Sequence, residues 1–146
     1  MKSKGFTLLE VLLSVAIVSV IFAAGAPIYF GTQKNQDLNN TALQMRDALY
    51  RAELLSEARE NSGSWGVYIE AGQIVLFSGS SYASRDVGFD EVYPLPNTIT
   101  ISGDQEYIFS ETLGELSSSG TTTLTTSTGA REVSVNEKGL VTVSVI

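Results

Sequence analysis

The chain has no cysteine and no histidine among its 146 residues. Without cysteine it can form neither disulfides nor thiolate metal sites. Without histidine it lacks the commonest general base and the commonest zinc ligand. An enzyme built from this sequence would have to use carboxylates, lysine or tyrosine alone, and we find no arrangement of these typical of a catalytic site. The sequence therefore predicts a protein that is not an enzyme and that needs no metal and no cofactor.

Positive charge is also scarce. Nine Lys and Arg residues stand against sixteen Asp and Glu, which gives a formal net charge of −7 and a pI near 4.5. From residue 61 onward the basic residues are Arg85, Arg131 and Lys138, whereas ten are acidic. Such a surface repels phosphate backbones, so we expect no nucleic-acid partner.

Apolar residues are concentrated near the N-terminus. Residues 6–30 read FTLLEVLLSVAIVSVIFAAGAPIYF, and the only charge among them is Glu10. As a helix this segment would span roughly 37 Å, enough for a bilayer core of about 30 Å. Lys2 and Lys4 precede it, so the positive-inside rule predicts a cytoplasmic N-terminus and an exported remainder.

Two ordinary targeting segments compete with this interpretation. A secretory signal peptide would use Ala24-Gly25-Ala26 as its cleavage site. The apolar run is too long for such a peptide, Glu10 interrupts it, and Pro27 would follow the cut directly. A plain signal anchor leaves Glu10 unexplained, because a charge in a membrane helix is costly without a partner.

A short motif at the N-terminus accounts for these features. Lys4-Gly5-Phe6-Thr7-Leu8-Leu9-Glu10 resembles the K-G-F-T-L-x-E signature of type IV prepilins and pseudopilins. The resemblance implies that a prepilin peptidase cleaves between Gly5 and Phe6 and then methylates the new amine of Phe6. It also implies that Glu10 is needed for filament assembly and that Pro27 lies where many pilins carry a helix-bending proline. The implied partners are other pilin or pseudopilin subunits, the peptidase and the inner-membrane assembly platform.

The chemistry of Glu10 agrees with this resemblance. Cleavage after Gly5 leaves a free amine on Phe6 at the start of a helix, in nonpolar surroundings. A carboxylate near it is favoured by the helix dipole, and opposite charges in a low dielectric attract each other strongly. We hypothesise that Glu10 of one subunit pairs with the Phe6 amine of its neighbour and so sets the stagger between subunits.

The helical pattern continues beyond the apolar segment. Pro27 removes a backbone donor and crowds the preceding turn, which predicts a kink there. Apolar residues then recur at helical spacing from residue 38 to residue 52, and Asn61-Ser62-Gly63 provides a stop. We therefore expect a helix from about residue 6 to residue 60. The residues of its apolar stripe are Leu38, Ala42, Met45, Leu49 and Ala52.

After Gly63 the apolar period changes to two, which is typical of strands. Paired segments separated by polar turns predict hairpins around residues 71–72, 103–104 and 136–139. The predicted fold is α+β: a long N-terminal helix packed on a small antiparallel sheet, as in pilins. Its divisions are a leader at 1–5, a membrane or filament-core helix at 6–30, an amphipathic continuation at 31–62 and a β-rich head at 63–146. Residues 78–86 and 117–127 are low in apolar content. We interpret both as solvated connections, with an exposed Thr-rich strand as the alternative for the second.

The head has a looser resemblance of its own. Arg51-Ala52-Glu53 with Ala58, Trp65-Gly66-Val67, and the closing Arg131-to-Gly139 hairpin are similar to H-type minor pseudopilins of type II secretion and FimT/FimU-like pilins. No carboxylate cluster like the calcium-binding loop of major pseudopilins is present. The favoured function is thus a minor structural subunit of a pilus-like or secretion filament. The alternatives are a major pilin and a membrane-anchored binding module that never polymerises.

Overall fold

The structure is a computed structural model that describes residues 5–111 and 113–146, apart from the side chains at 24–30 and 62. The chain divides into two compact units, residues 1–33 and 34–146. Helix α1 (Leu8–Glu57) confirms the long N-terminal helix. It ends before the predicted stop at residues 61–63: Arg59 and Asn61 both adopt positive φ, at 54° and 50°, and Gly63 follows at 92°.

The second half of α1 buries the predicted stripe. Leu38, Ala42, Met45, Leu49 and Ala52 are each at most 1% exposed, which confirms the helical period. Positions three and four residues apart lie on one helix face, so the stripe forms a continuous apolar strip against the sheets. This strip is the centre of the hydrophobic core of the head.

The strands are β1 (Trp65–Glu70), β2 (Gln73–Ser78), β3 (Asp86–Pro94), β4 (Thr100–Gly103), β5 (Glu106–Phe109), β6 (Gly120–Thr126), β7 (Gly129–Val135) and β8 (Val141–Val145). Within the described part of the chain, these eight strands form two four-stranded antiparallel sheets, in the orders β3-β2-β1-β5 (sheet 1) and β4-β6-β7-β8 (sheet 2). The α+β fold class is confirmed, but two sheets replace the one predicted.

The hairpins predicted around residues 71–72 and 136–139 are present, as β1–β2 and β7–β8. The hairpin predicted around residues 103–104 is wrong. β4 pairs with β6 whereas β5 pairs with β1, so the turn leads from sheet 2 to sheet 1. Gly103 turns with a φ of 90°, and the Asp104 amide donates to the Thr121 carbonyl at 2.9 Å. A local turn signal does not reveal that its two strands find partners far along the chain.

The interpretation of residues 117–127 as a solvated connection is wrong. Most of this segment is β6, an inner strand that pairs with β4 on one side and β7 on the other. Thr122 and Leu124 are fully buried. The Thr122 hydroxyl is satisfied by the Tyr107 hydroxyl and the Asp104 carbonyl. Burial of a hydroxyl costs little free energy when the hydroxyl is hydrogen-bonded, and threonine is common in strands.

The interpretation of residues 78–86 as a solvated connection is also wrong in part. Ser78 and Asp86 belong to strands β2 and β3, and the segment between them packs on sheet 1 through Tyr82. Its Tyr82 ring stacks on Tyr68 at 3.9 Å and meets Phe77 edge-on at 5.6 Å. Aromatic contacts of this kind, here between two half-buried tyrosines and the buried Phe77, hold a loop against a sheet.

Strand β3 was not predicted, because Asp90 and Glu91 break the short alternation that Val87 and Phe89 begin.

One serine joins the helix to sheet 1. The fully buried Ser56 hydroxyl accepts from the Trp65 amide at 2.9 Å and donates to the Phe109 carbonyl at 3.2 Å. The last turn of α1, the start of β1 and the end of β5 therefore meet at one side chain. This contact fixes where the helix ends over the head.

Candidate assembly site

The N-terminal unit begins with a capped helix. The Glu10 amide donates to the Thr7 carbonyl at 3.1 Å and to the Thr7 hydroxyl at 3.3 Å. The Val11 amide also donates to the Thr7 carbonyl, at 3.3 Å. Thr7 is thus the N-cap of α1, and its side chain satisfies one of the amides that the first turn leaves unpaired.

Glu10 is the third residue of α1, within the positive end of the helix dipole. Thr7-Leu8-Leu9-Glu10 fits the capping-box pattern of Thr or Ser followed three residues later by Glu. Glu10 was predicted from the sequence and Thr7 was not, although the spacing between them is a sequence signal for an N-cap. Among the described residues the Glu10 carboxylate has no hydrogen bond or ion pair. The second contact of a capping box, in which this carboxylate would accept from the Thr7 backbone amide, is therefore not made.

Every residue from 5 to 23 is exposed in the single chain. The apolar ones surround the helix on all sides. They are Phe6, Leu8, Leu9, Val11, Leu12, Leu13, Val15, Ile17, Val18, Val20, Ile21 and Phe22. A helix that is apolar all round is buried in its functional state, in lipid or among other helices.

The two serines of this surface are already satisfied. The Ser14 hydroxyl donates to the Glu10 carbonyl at 2.8 Å, and the Ser19 hydroxyl donates to the Val15 carbonyl at 2.7 Å. Serine hydroxyls bonded to their own helix can enter apolar surroundings at little cost. Between residues 8 and 23 the Glu10 carboxylate is therefore the one polar side chain that the described contacts leave to be matched from outside.

The structure describes only some of the other predicted site residues. Phe6 is 82% exposed, like its neighbours in the single chain. Lys2 and Lys4 lie outside the described residues. The side chain of Pro27 also lies outside them, so the kink at Pro27 remains a prediction, as do cleavage after Gly5, methylation of Phe6 and the role of Glu10.

Within the described part of the chain, no helix is both long and apolar enough to cross a membrane. The predicted span at residues 6–30 includes residues 24–30, whose side chains lie outside that part, and it stays a prediction. Among the described residues, no three carboxylates come together in a group that could hold a metal ion.

Comparison with known proteins gives one match. Residues 1–26 match a protein family described as "Prokaryotic N-terminal methylation motif". No curated protein and no solved structure matches the chain. The motif implies a membrane-anchored precursor and is typical of a structural subunit that a prepilin peptidase processes and that associates with other pilin subunits. The chain thus carries a prokaryotic prepilin-type N-terminus, which supports the type IV pilin family without distinguishing among its subfamilies.

Proposed function

We propose that this chain is a structural subunit, a minor pilin or pseudopilin, of a type IV pilus-like or type II secretion filament. A prepilin peptidase cleaves the precursor after Gly5 and methylates Phe6. The precursor spans the inner membrane once with its N-terminus in the cytoplasm, and the assembly platform then moves it into a periplasmic or extracellular filament.

The observation that carries this proposal is the Glu10 carboxylate within an otherwise apolar helix surface. A filament core of parallel helices covers residues 6–23 with the same kind of surface from neighbouring subunits. Apolar helices leaving lipid associate through close packing and through polar contacts between helices, rather than through a hydrophobic driving force. The Glu10 contact is thus the specific part of the assembly.

The partner of Glu10 is the α-amine that cleavage creates on Phe6 of an adjoining subunit. Secondary amines carry a positive charge at neutral pH, so methylation leaves that charge in place. A buried ion pair of good geometry is kept because removal of one partner leaves the other charge uncompensated, which costs about 3–5 kcal/mol. A subunit without the Glu10 charge therefore cannot be held at the stagger between neighbouring subunits that the ion pair fixes.

The head supports a minor rather than a major subunit through its resemblance to H-type minor pseudopilins and FimT/FimU-like pilins. The segments that carry that resemblance come together in the fold. Glu53 lies against Gly139 of the closing hairpin, and Ser56 of the same helix bonds Trp65. The role is structural and non-enzymatic, with the head presented on the filament or at its tip. Low abundance in sheared filaments is the result expected of a minor subunit, whereas a major pilin would dominate the preparation.

Glu10→Gln tests the assembly step. The amide keeps the shape of the side chain and removes its charge. Wild type and variant are expressed in a host with a working filament system, and the subunit is quantified in the membrane fraction and in sheared filaments. We expect Glu10→Gln to reach the membrane at the wild-type level and to be lost from filaments. Glu57→Gln, the same change at an exposed position of α1, is the matched control and should be incorporated normally.

Normal incorporation of Glu10→Gln would refute the pairing. Failure of the wild-type chain itself to enter any filament, with normal membrane levels, would favour the membrane-anchored binding module instead.

A further inference from the structure

The described sheets have four edges, and three of them are protected against further pairing. β3 carries three acidic residues and ends at Pro94. β4 and β5 have only four residues each, and β5 is followed by a bridge between Phe109 and Leu116. β8 differs, because its sequence VTVSV has no charge and no proline. Charges, prolines and short strands are the usual means of blocking an edge, so β8 is an open one.

The hydrogen-bond register shows which backbone groups of β8 face outward. The Asn136 amide donates to the Leu140 carbonyl, and the Ile146 amide donates to the Ala130 carbonyl. In an antiparallel pair the bonded positions alternate, so the even-numbered residues of β8 face β7. The β8 valines (Val141, Val143 and Val145) therefore direct their amides and carbonyls to the vacant side of the strand.

A groove of about 520 Å³ lies beside this edge, between α1 and the start of β8. Tyr50 and Glu53 line it from the helix, and Leu140 and Val141 line it from the hairpin. β8 runs antiparallel to the helix beside it. Its start follows Gly139, which touches Glu53, and its end pairs with Arg131, which bonds Asn39 at 2.9 Å.

The helix flank above this edge is partly apolar. Tyr50 is 59% exposed and Leu43 is 42% exposed. They are seven residues apart, so they lie on the same helix face, beside the buried stripe. A strand added to β8 would place alternate side chains between this flank and the sheet, because side chains on one face of a strand repeat every two residues.

The Glu53 carboxylate, at one end of the groove, has no ion pair among the described residues. Burial, and then repulsion from Glu57, raise the pKa of the Glu53 carboxyl. Arg46, which lines the same groove, is bonded to Asp47 at 2.8 Å. Lys138 is also on the groove wall, but in the described part of the chain it forms no ion pair. An incoming cation near Glu53 would be favoured, because it would offset both the burial and the repulsion.

We propose that the open edge of β8 binds an extended segment of a partner protein, added antiparallel as a fifth strand of sheet 2. The segment has apolar residues at alternate positions, which cover Leu43 and Tyr50, and a lysine or arginine at the end that faces Glu53. Main-chain bonds supply affinity in this mode of recognition, and the alternate side chains supply selectivity. A second copy of β8 fits less well, since it brings no cation to Glu53.

The test uses the full-length chain in detergent micelles and the capped peptide Val-Thr-Val-Thr-Val-Lys. Amide exchange of the β8 valines is measured with and without peptide, and affinity is measured by fluorescence anisotropy of a labelled peptide. We expect exchange of these three amides to slow by about tenfold or more at saturation. Exchange of the amides of β3 and β5 should not change.

Matched pairs of peptides and of protein variants distinguish strand addition from nonspecific binding. A peptide with methylated backbone nitrogens on the side facing β8 cannot donate, so it should not bind. Replacement of its Lys by Glu should weaken binding about tenfold. In the protein, Val143→Pro removes an outward donor and should weaken binding about tenfold, whereas the isosteric Val143→Thr keeps the donor and should bind as wild type.

Equal binding of the methylated peptide, protection at another edge, or no protection at millimolar peptide would each overturn the proposal. Dimerisation of the chain through β8 in the absence of peptide would overturn the choice of partner. These outcomes do not depend on processing at Gly5, so the proposal can fail while the proposed function stands.

Discussion

Ser56→Ala removes one hydroxyl at the junction of the helix and sheet 1. In the wild type that hydroxyl accepts the Trp65 amide and donates to the Phe109 carbonyl, and the side chain is fully buried. Alanine fits the same space, so the change creates almost no steric strain. Its effect comes from the two backbone groups that lose their partner.

The expected cost follows from those two groups. A buried donor or acceptor left without a partner costs about 1–3 kcal/mol. The Trp65 amide loses its acceptor, and the Phe109 carbonyl, with two lone pairs, is the more tolerant of the two. We therefore expect Ser56→Ala to lower the free energy of unfolding by about 2–4 kcal/mol. That is a large share of the roughly 5–15 kcal/mol that stabilises a typical domain.

Urea unfolding of the full-length chain in detergent micelles measures this cost. Trp65 is the only tryptophan, and far-UV circular dichroism provides a second probe that a local change around its ring does not affect. Ser117→Ala, at an exposed position, is the control and should leave the midpoint unchanged. A loss below about 0.5 kcal/mol in Ser56→Ala, the range of ordinary surface substitutions, would refute the assignment of Ser56 as a structural junction.

Two further predictions concern the same head. Leu49→Ala empties a fully buried position of the stripe and should cost about 2–5 kcal/mol in urea unfolding. Leu54→Ala, at a position 46% exposed on the same helix, should cost well under 1 kcal/mol, and equal losses would contradict the packing described. The hydrogen bond from Arg51, with its charge, lowers the pKa of the half-buried Glu91 carboxyl below its usual 4.5. A depressed pKa in the folded state makes this pair stabilising above pH 4.5 and progressively less so as pH falls through the lowered value. Since the Arg51 and Glu91 side chains are 51% and 40% exposed, Glu91→Gln should cost less than about 1 kcal/mol at pH 7, less in high salt, and nothing below that pH window. A pH-independent loss in Glu91→Gln would contradict the ion pair.

The features of the head that the sequence predicts are local ones. The buried stripe of α1 follows from apolar spacing alone. The β1–β2 and β7–β8 hairpins follow from two-residue alternation and from turns that need positive φ, which Gly72 and Gly139 supply at 92° and 76°. Each of these signals lies within a few residues of the structure that it predicts.

The features that the sequence did not predict depend on distant pairing. β5 belongs beside β1 and β4 beside β6, although a short turn joins β4 to β5. The threonine-rich β6 has little apolar character, but its neighbours bury Thr122 and satisfy its hydroxyl. Such partnerships are made in three dimensions, and no run of adjacent residues encodes them.

The assembly site was more accessible to sequence reasoning than the head. Glu10 stands out because a charge interrupts an apolar run, and this needs no knowledge of the fold. Thr7 could have been found from its spacing to Glu10, and the structure adds its bond to the Glu10 amide at 3.3 Å. What the sequence cannot supply is the partner that we propose for Glu10, because on that proposal it belongs to another chain.

The most direct test of this account is the intact mass of the chain purified from a host that contains a prepilin peptidase. The account predicts a single species that begins at Phe6, is heavier by one methyl group on its N-terminal amine, and is absent when Gly5 is replaced. A chain that keeps Met1, or one that begins at Pro27, would contradict it.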